Sequence, residues 1–218
     1  NFAEIILPEV RDFDSLVRAI VDVHGGIQFQ AAKAVNVSLT FRNWLIGCHI
    51  LEYEQKGKDR AVYGDRLFGK LAERLQAHDI PRTDERELRR YRQFYMVYPA
   101  IREALPPELE RRLPTMSQSR RIRKSPTPKF QVEGRALAEG LSFTQLVEML
   151  QIDDPLKRAF YEIECLRGNW SVRELKRQIA SLYYERCGLS KNKKKLSRIT
   201  QAKAEPLAAK QIIRDPYV

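Results

Sequence analysis

The stretch AVNVSLTFRNWLIGCHIL, Ala34–Leu51, decides the fold. Its apolar residues recur three and four positions apart, which is the spacing of one face of an α-helix. These residues are Ala34, Val37, Phe41, Trp44, Leu45, Cys48 and Leu51. Proline is absent from Leu16 to Gln55. We therefore predict a long N-terminal helix with Trp44 in the core, and Gly25-Gly26 separating a shorter helix in front of it.

The rest of the chain indicates an all-α multi-helix bundle, because it contains only ten glycines and lacks the alternation of β-strands. A helix is predicted from Tyr63 to Leu75. After Pro81, Thr83 can cap the next helix, with Asp84 and Glu85 in its first turn. The predicted buried side of that helix consists of Leu88, Tyr91, Tyr95 and Val97 or Tyr98.

The 218 residues are 43% hydrophobic and 31% charged, with a formal net charge of +11. Clustered positive charge favours a polyanionic partner, although a solubilising surface has the same composition. Three widely separated cysteines fit reduced thiols in a cytoplasmic protein. The longest strongly apolar run, Trp44–Leu51, is too short to cross a bilayer, so we expect no membrane partner.

A helix, a turn and a basic helix follow one another in the order of a helix-turn-helix DNA reader. An ordinary helical hairpin with solvated arginines fits the pattern as well. The candidate DNA contacts on the basic helix are Arg82, Arg86, Arg89, Arg90, Arg92 and Gln93.

Arg111–Lys129 contains seven basic residues, three prolines and no acidic residue, which predicts a flexible linker. Such a segment suits nonspecific contacts with phosphates, and a merely solvated linker is the alternative. Its candidate phosphate contacts are Arg120, Arg121, Arg123 and Lys124.

Three helices are predicted beyond the linker. The first begins at Ser142 or Thr144, and the second at Asp153 or Asp154 with Pro155 in its first position. Gly168 ends the second helix, and Ser171 begins the third. The predicted organisation is a helical domain over 1–110, a basic linker over 111–135, a three-helix pack over 136–190 and a basic connector over 191–218.

Glu174-Leu175-Lys176 has the E-x-K spacing of metal-dependent nucleases. Ser171 and Glu174 also have capping-box spacing, which predicts that Glu174 caps a helix and has no catalytic role. Leu175, Ile179 and Leu182 would share one helical face. Arg173, Lys176 and Arg177 remain as candidate phosphate contacts. His24, His49 and His78 lie on separate segments without metal-ligand spacing. We expect no catalytic centre, metal, cofactor or small-molecule substrate in this chain.

Three segments of the chain resemble the N-terminal domain of YhcG-type bacterial proteins. They are RNWLIGCHILEYEQKGKDRAVYGDRLFGKLAERL, LRRYRQFYMVYP and DDPLKRAFYEIECLRGNWSVRELKRQIASLYYERCGLS. In that family a helical domain precedes a PD-(D/E)xK nuclease domain, and the similarity runs from about Leu16 to Ser190. The closing DPYV resembles the start of the nuclease domain, so the resemblance implies the N-terminal part of a metal-dependent nuclease without its catalytic part.

The Arg111–Lys129 stretch looks longer than the family's usual connection, so its role is not carried over. The order of elements from Leu141 to Ile179 is similar to the helix-turn-helix region of ParB-type centromere-binding proteins. We expect a DNA-binding module of a nuclease that forms a homodimer through the apolar stripe of the long helix, including Phe41 and Leu45. A helical oligomerisation or protein-docking module with incidental positive charge is the alternative.

Overall fold

A computed structural model of the chain describes residues 12–56, 66–113 and 132–187. All regular structure in these ranges is helical, which confirms the predicted all-α fold. The α-helices in chain order are α1 Phe13–Lys56, α2 Leu67–Gln76, α3 Glu85–Val97, α4 Pro107–Glu110, α5 Gly134–Gly140, α6 Phe143–Met149, α7 Pro155–Gly168, α8 Val172–Ala180 and α9 Tyr183–Arg186. A 3₁₀ helix, Pro99–Ala104, follows α3. Within the described ranges, no helix has the length and apolar character needed to cross a membrane.

The long helix α1 is continuous over 44 residues, and the prediction that Gly25-Gly26 divides it is wrong. Glycine costs about 1 kcal/mol relative to alanine inside a helix, but it keeps the amide hydrogen that proline lacks. A Cβ atom added at either glycine would meet nothing within 4 Å. The helix therefore passes through the pair in open surroundings, and contacts elsewhere must offset the cost.

The second half of α1 lies in the hydrophobic core. Phe41, Trp44, Leu45 and Cys48 are all buried, as their helical spacing predicts. The indole N–H of Trp44 donates a hydrogen bond of 2.9 Å to the carbonyl oxygen of Tyr98. A buried tryptophan needs such a partner for its only polar group. Trp44 is therefore a core residue, which confirms the prediction.

The apolar stripe of α1 is covered in one half and exposed in the other. Phe41 is 5% exposed and Leu45 is 8% exposed, because α3, α5 and α6 pack on this part of α1. The expectation that these two residues need a second copy to cover them is therefore wrong. The first buried residue of α1 is Thr40. The large exposed apolar side chains lie nearer the start of the helix, and include Phe13, Ile20 and Ile27.

Helices α1 and α3 approach each other most closely at Gly47. A Cβ atom at this position would lie 2.0 Å from the carbonyl oxygen of Tyr91, so only glycine allows this contact. The buried residues of α3 are Leu88, Tyr91, Phe94 and Tyr95, followed by the buried Tyr98. Phe94 was not among the predicted core positions, and Val97 is only half-buried.

The start of α3 differs from the prediction by one residue. The Asp84 carboxylate accepts a hydrogen bond of 3.1 Å from the Glu87 amide, so Asp84 is the N-cap. The predicted cap, Thr83, is buried, and its hydroxyl donates to the Ile80 carbonyl oxygen at 2.8 Å. Thr83 therefore stabilises the turn before the helix, and the adjacent Asp84 caps the helix.

The three predicted helix starts beyond the linker are confirmed. Ser142 caps α6 in a complete capping box with Gln145. Asp154 accepts hydrogen bonds from the first turn of α7, where Pro155 occupies the first position. Ser171 caps α8. Each start is a local side-chain to backbone contact, which is why neighbouring residues alone predict it.

Two features of this part of the chain were not predicted. The short helix α5 comes before α6, and a Cβ atom at Gly134 in its first turn would lie 1.9 Å from the Ala100 carbonyl oxygen of the 3₁₀ helix. Leu182 does not share the buried face of α8 with Leu175. Helix α8 ends at Ala180, and Leu182 adopts a left-handed conformation with its side chain exposed.

One hydrophobic core joins residues from both sides of the basic linker, from Phe41 of α1 to Tyr184 of α9. A smaller cluster between α1, α2 and α3 contains Ile50, Phe68 and Leu88. The proposed division of the chain into separate units remains a prediction. Most of the linker and the whole connector over 191–218 lie outside the described residues.

Candidate nucleic-acid interface

The outer side of α3 carries an exposed row of polar side chains. Arg86, Arg89 and Gln93 recur three and four positions apart on α3 and are exposed. The opposite side of the helix is fixed in the core by Leu88 and its buried neighbours. The structure therefore places three of the six residues predicted on this segment in one row, and the exposed Arg82 lies in the turn before the helix.

The turn that holds Arg82 is fixed by two hydrogen bonds to consecutive carbonyl groups. The Tyr91 hydroxyl donates to the Arg82 carbonyl oxygen at 2.8 Å, and the Arg42 guanidinium donates to the Pro81 carbonyl oxygen at 2.7 Å. Arg82 has a φ of 56°, an uncommon conformation for a residue with a side chain. Burial raises the pKa of the Tyr91 hydroxyl, so it remains a donor at neutral pH. The side chain of Arg82 thus projects from a defined position.

Three of the four arginines of α3 already have carboxylate partners. Arg89 contacts Glu85 at 2.6 Å, and its guanidinium lies 4.5 Å from the centre of the Phe68 ring. Arg90 pairs with Glu87 on the same helix, and Arg92 reaches Glu54 on α1. Arg86 has no ion-pair partner within the described ranges. Arg90 and Arg92 are the less exposed members, and the Arg92–Glu54 pair connects α3 to α1.

Gln93 is exposed, but its side-chain amide donates to the Leu150 carbonyl oxygen at the end of α6. The bond is long, at 3.4 Å, and therefore weak. Gln93 was predicted to contact the edge of an adenine base, and that remains a prediction. To contact a base, the Gln93 amide would have to give up its hydrogen bond to the Leu150 carbonyl oxygen.

A second basic group lies on α8. Lys176 contacts Glu148 of α6 at 3.1 Å, and Arg177 is 3.6 Å from Glu174. Arg173 is exposed and has no ion-pair partner in the part of the chain that the structure describes. Because Glu148 contacts α8 and Leu150 contacts α3, the last turn of α6 lies between the two basic groups. This neighbourhood depends on tertiary packing, which sequence spacing does not reveal.

The E-x-K triplet lies on a helix, as predicted. Glu174 is in the first turn of α8, and its amide donates to the Ser171 hydroxyl at 3.2 Å. The Glu174 carboxylate pairs with Arg177 and does not return to the Ser171 amide. Only half of the predicted capping box is therefore formed, because an arginine one turn later competes for the carboxylate.

Sequence reasoning missed Glu162, an acidic residue in the core. Its side chain is buried on α7, and burial raises the pKa of its carboxyl group to about 7. The Tyr98 hydroxyl and the Arg158 guanidinium oppose the shift. Because its side chain is enclosed by the core, we interpret Glu162 as a structural residue whose carboxyl group holds its proton to a higher pH than usual. The surrounding helical pattern gave no signal of its burial.

The remaining candidate residues do not form a metal site in the described part of the chain, where no three His, Cys, Asp or Glu side chains are grouped to hold an ion. Cys48 and Cys165 are buried and Cys187 is exposed, and none of the three is in a disulfide bond. The predicted phosphate contacts Arg120, Arg121, Arg123 and Lys124 lie outside the described residues.

Comparison with known proteins places this helical arrangement in a family. The model of the DUF1016 N-terminal domain matches residues 20–186, from α1 to the end of α9. The chain belongs to this family. It is also 31% identical over 205 residues to the Escherichia coli K12 protein named "Putative nuclease YhcG", which confirms the resemblance noted from the sequence. The alignment covers 90% of this chain and 54% of that relative, so the chain spans about half of the relative's length. No solved structure matches the chain.

Proposed function

We propose that this chain is the DNA-binding module of a nuclease and that it acts as a homodimer. The exposed row on α3 carries the proposal, because Arg86, Arg89 and Gln93 extend from one side of a helix whose other side packs in the core, and the exposed Arg82 lies in the turn before that helix. A related protein has nuclease in its name and is about twice as long. A net charge of +11 adds long-range attraction for a polyanion.

Helix α3 would lie along the major groove, which is about 12 Å wide and admits an α-helix. Arg82 and Arg86 would contact phosphates directly. Arg89 would exchange Glu85 for a phosphate at little cost, since both partners are more than half exposed and such surface pairs contribute about 1 kcal/mol or less. Gln93 would be the base-reading residue. Arg90 and Arg92, which were also candidates, are less exposed, and Arg92 would act mainly through the ion pair with Glu54 that positions the helix against α1.

The basic group on α8 would extend the phosphate contacts beyond α3. Arg173 is exposed, and Lys176 and Arg177 are exposed side chains that could exchange their carboxylate partners, Glu148 and Glu174, for phosphates. The linker residues Arg120–Lys124 would add contacts that carry no sequence information. Metal-dependent chemistry would belong to a PD-(D/E)xK domain of the parent protein.

A protein-docking module is the second candidate function. It is favoured by the exposed apolar side chains in the first half of α1 and by the carboxylate partners that three α3 arginines already have. On this alternative the net charge would be incidental, and affinity for duplex DNA would be no greater than that of any basic surface.

A salt titration of duplex binding tests the proposal. Each phosphate contact releases condensed counterions, so log affinity falls with log salt by about 0.9 per contact. We expect Arg86→Ala to weaken binding to every sequence and to flatten the slope by about one unit. Arg18→Ala is the matched control, because it removes the same charge from an exposed site near the start of α1.

The combined variant Arg82→Ala, Arg86→Ala and Arg89→Ala should lose most of the salt-dependent affinity while it remains folded. Gln93→Ala should behave differently and relax the preference at one base position, at a cost of about 1–3 kcal/mol on the preferred site. A folded triple variant with unchanged affinity and salt slope would contradict the proposal and favour the docking module.

A further inference from the structure

The first half of α1 is a helix without a covering surface in the single chain. None of its residues from Phe13 to Leu39 is buried, and this segment includes the Gly25-Gly26 pair. Most helical stability in proteins comes from packing of an apolar face, and each glycine of this pair costs about 1 kcal/mol relative to alanine inside a helix. A helix that leaves the core in this way needs another surface along its apolar side.

The exposed segment has the residue spacing of a coiled coil. Its seam residues alternate three and four positions apart, and they are Phe13, Leu16, Ile20, Val23, Ile27 and Gln30. The same alternation continues into the stripe that the core covers, from Val37 to Leu51. A seam repeating every seven residues is covered best by another helix with the same repeat. A second copy of this chain provides one.

We propose that two copies pair through Phe13–Gln30 of α1 as an antiparallel coiled coil. The inference rests on the homodimer of the proposed function and does not depend on the DNA contacts. Across the seam each residue meets a counterpart of the second copy. The facing pairs are Phe13 with Gln30, Leu16 with Ile27, and Ile20 with Val23.

Charge complementarity selects the antiparallel direction. In this register Asp12 of one copy flanks the seam beside Lys33 of the second copy, and the symmetry of the pair forms this contact twice. The small residues Ala19 and Gly26 meet on the same flank, nearer the midpoint, and allow close approach there. In a parallel pair Asp12 and Lys33 would lie about 30 Å apart along the axis, at a rise of 1.5 Å per residue, and could not meet.

The part of α1 that precedes its contacts with the core is also long enough for this pairing. Asn36 of α1 contacts the folded core, because its amide donates a hydrogen bond of 3.1 Å to the Leu141 carbonyl oxygen. The paired segment ends at Gln30, before this contact. The two folded bodies would therefore stand at opposite ends of the coiled coil without collision.

Two glutamate substitutions test the interface in the full chain. Val21 and Val23 are both 62% exposed in the single chain, but only Val23 lies on the seam. We expect Val23→Glu to raise the dimer dissociation constant at least tenfold in sedimentation equilibrium, and Val21→Glu to change it much less. Far-UV circular dichroism and the unfolding midpoint of the core check that both variants fold.

Charge reversal and cross-linking test the direction. Lys33→Glu should weaken the dimer, because it places a second carboxylate beside Asp12, and adding Asp12→Lys should restore it even though that change also removes the hydrogen bond from the Ser15 amide to the Asp12 carboxylate. In a Cys187→Ser background, the double variant Leu16→Cys and Ile27→Cys should form a disulfide between chains, whereas Ile27→Cys alone should not. Cross-linking by Ile27→Cys alone would show a parallel pair and overturn the antiparallel assignment.

The remaining outcomes separate this inference from the proposed function. A parent chain that stays monomeric at tens of micromolar overturns the pairing and the homodimer together. A dimer unaffected by Val23→Glu overturns this interface and leaves the homodimer. Loss of duplex binding in the α3 variants, with dimerisation intact, concerns the DNA contacts alone.

Discussion

The hydroxyl of Ser171 determines where α8 begins, because it accepts the Glu174 amide that the helix itself cannot satisfy. Ser171→Ala should lower the free energy of unfolding by about 0.5–2 kcal/mol, as is typical for a lost N-cap. Urea unfolding measures the change. Ser38→Ala is the control, since Ser38 is exposed in the interior of α1 and caps no helix. If the Ser171→Ala protein were as stable as the parent, Ser171 would not be the N-cap of α8.

Because the pKa of the buried Glu162 carboxyl group is raised, we predict that the free energy of unfolding depends on pH. Its pKa rises from 4.5 to about 7 on folding, so the folded chain holds a proton that the unfolded chain has already released. The resulting stabilisation is fully present below about pH 4.5 and is lost as the pH rises to about 7. A difference of this size corresponds to a loss on the order of 3 kcal/mol.

Unfolding in urea at pH 5 and pH 8 tests this prediction. The parent should be less stable at pH 8, whereas Glu162→Gln, which stays neutral, should lose much less between the two conditions. If the parent and Glu162→Gln show the same pH dependence, the carboxyl group of Glu162 titrates normally in the folded chain.

At the scale of the helices, one substitution should have opposite effects at two positions of α1. Gly47→Ala would place a methyl group against the Tyr91 carbonyl oxygen. We expect it to separate α1 from α3 and to cost about 1–3 kcal/mol, as overpacking usually does. Gly25→Ala meets open space and favours helix, so it should not destabilise the protein. Urea unfolding of both variants measures the difference, and a stable Gly47→Ala protein would contradict this helix contact.

The sequence predicted those features of the helices that depend on near neighbours. The caps at Ser142, Asp154 and Ser171 involve residues two or three positions away, and the stripe from Phe41 to Leu51 follows helical spacing. Thr83 was assigned the wrong role because two adjacent residues could both cap, and only the turn geometry decides between them.

Features that require packed helices were not predictable in this way. The Arg92–Glu54 contact and the position of the α6 end between α3 and α8 both depend on tertiary structure. Three of the six candidate residues on and before α3, namely Arg86, Arg89 and Gln93, form one exposed row. Their spacing predicts that row, and the Arg90–Glu87 pair also lies within helical spacing, whereas the contact of Arg92 with Glu54 depends on a neighbouring helix.

For the whole molecule, we predict that the chain does not cut DNA by itself. Its E-x-K triplet lies on a helix, where Glu174 pairs with Arg177. Plasmid DNA incubated with the chain and Mg²⁺ or Mn²⁺ should therefore remain supercoiled on an agarose gel. Metal-dependent nicking that persists after repurification and disappears in Glu174→Ala would contradict the prediction.

The length of α1 would fix the distance between the two folded bodies of the proposed homodimer. In the proposed pair, Asn36 lies about 22 Å from the midpoint at 1.5 Å per residue, so the two copies of Asn36 stand about 43 Å apart. One turn of B-DNA spans about 34–36 Å. If the paired α1 helices hold the two copies of α3 at a fixed separation, the dimer would prefer DNA in which two binding sites have a matching distance and lie on matching sides of the double helix. Inserting seven residues after Ile27 would lengthen the paired segment of α1 by one heptad. This change should shift the preferred spacing between the two DNA sites without altering the base sequence preferred at each site.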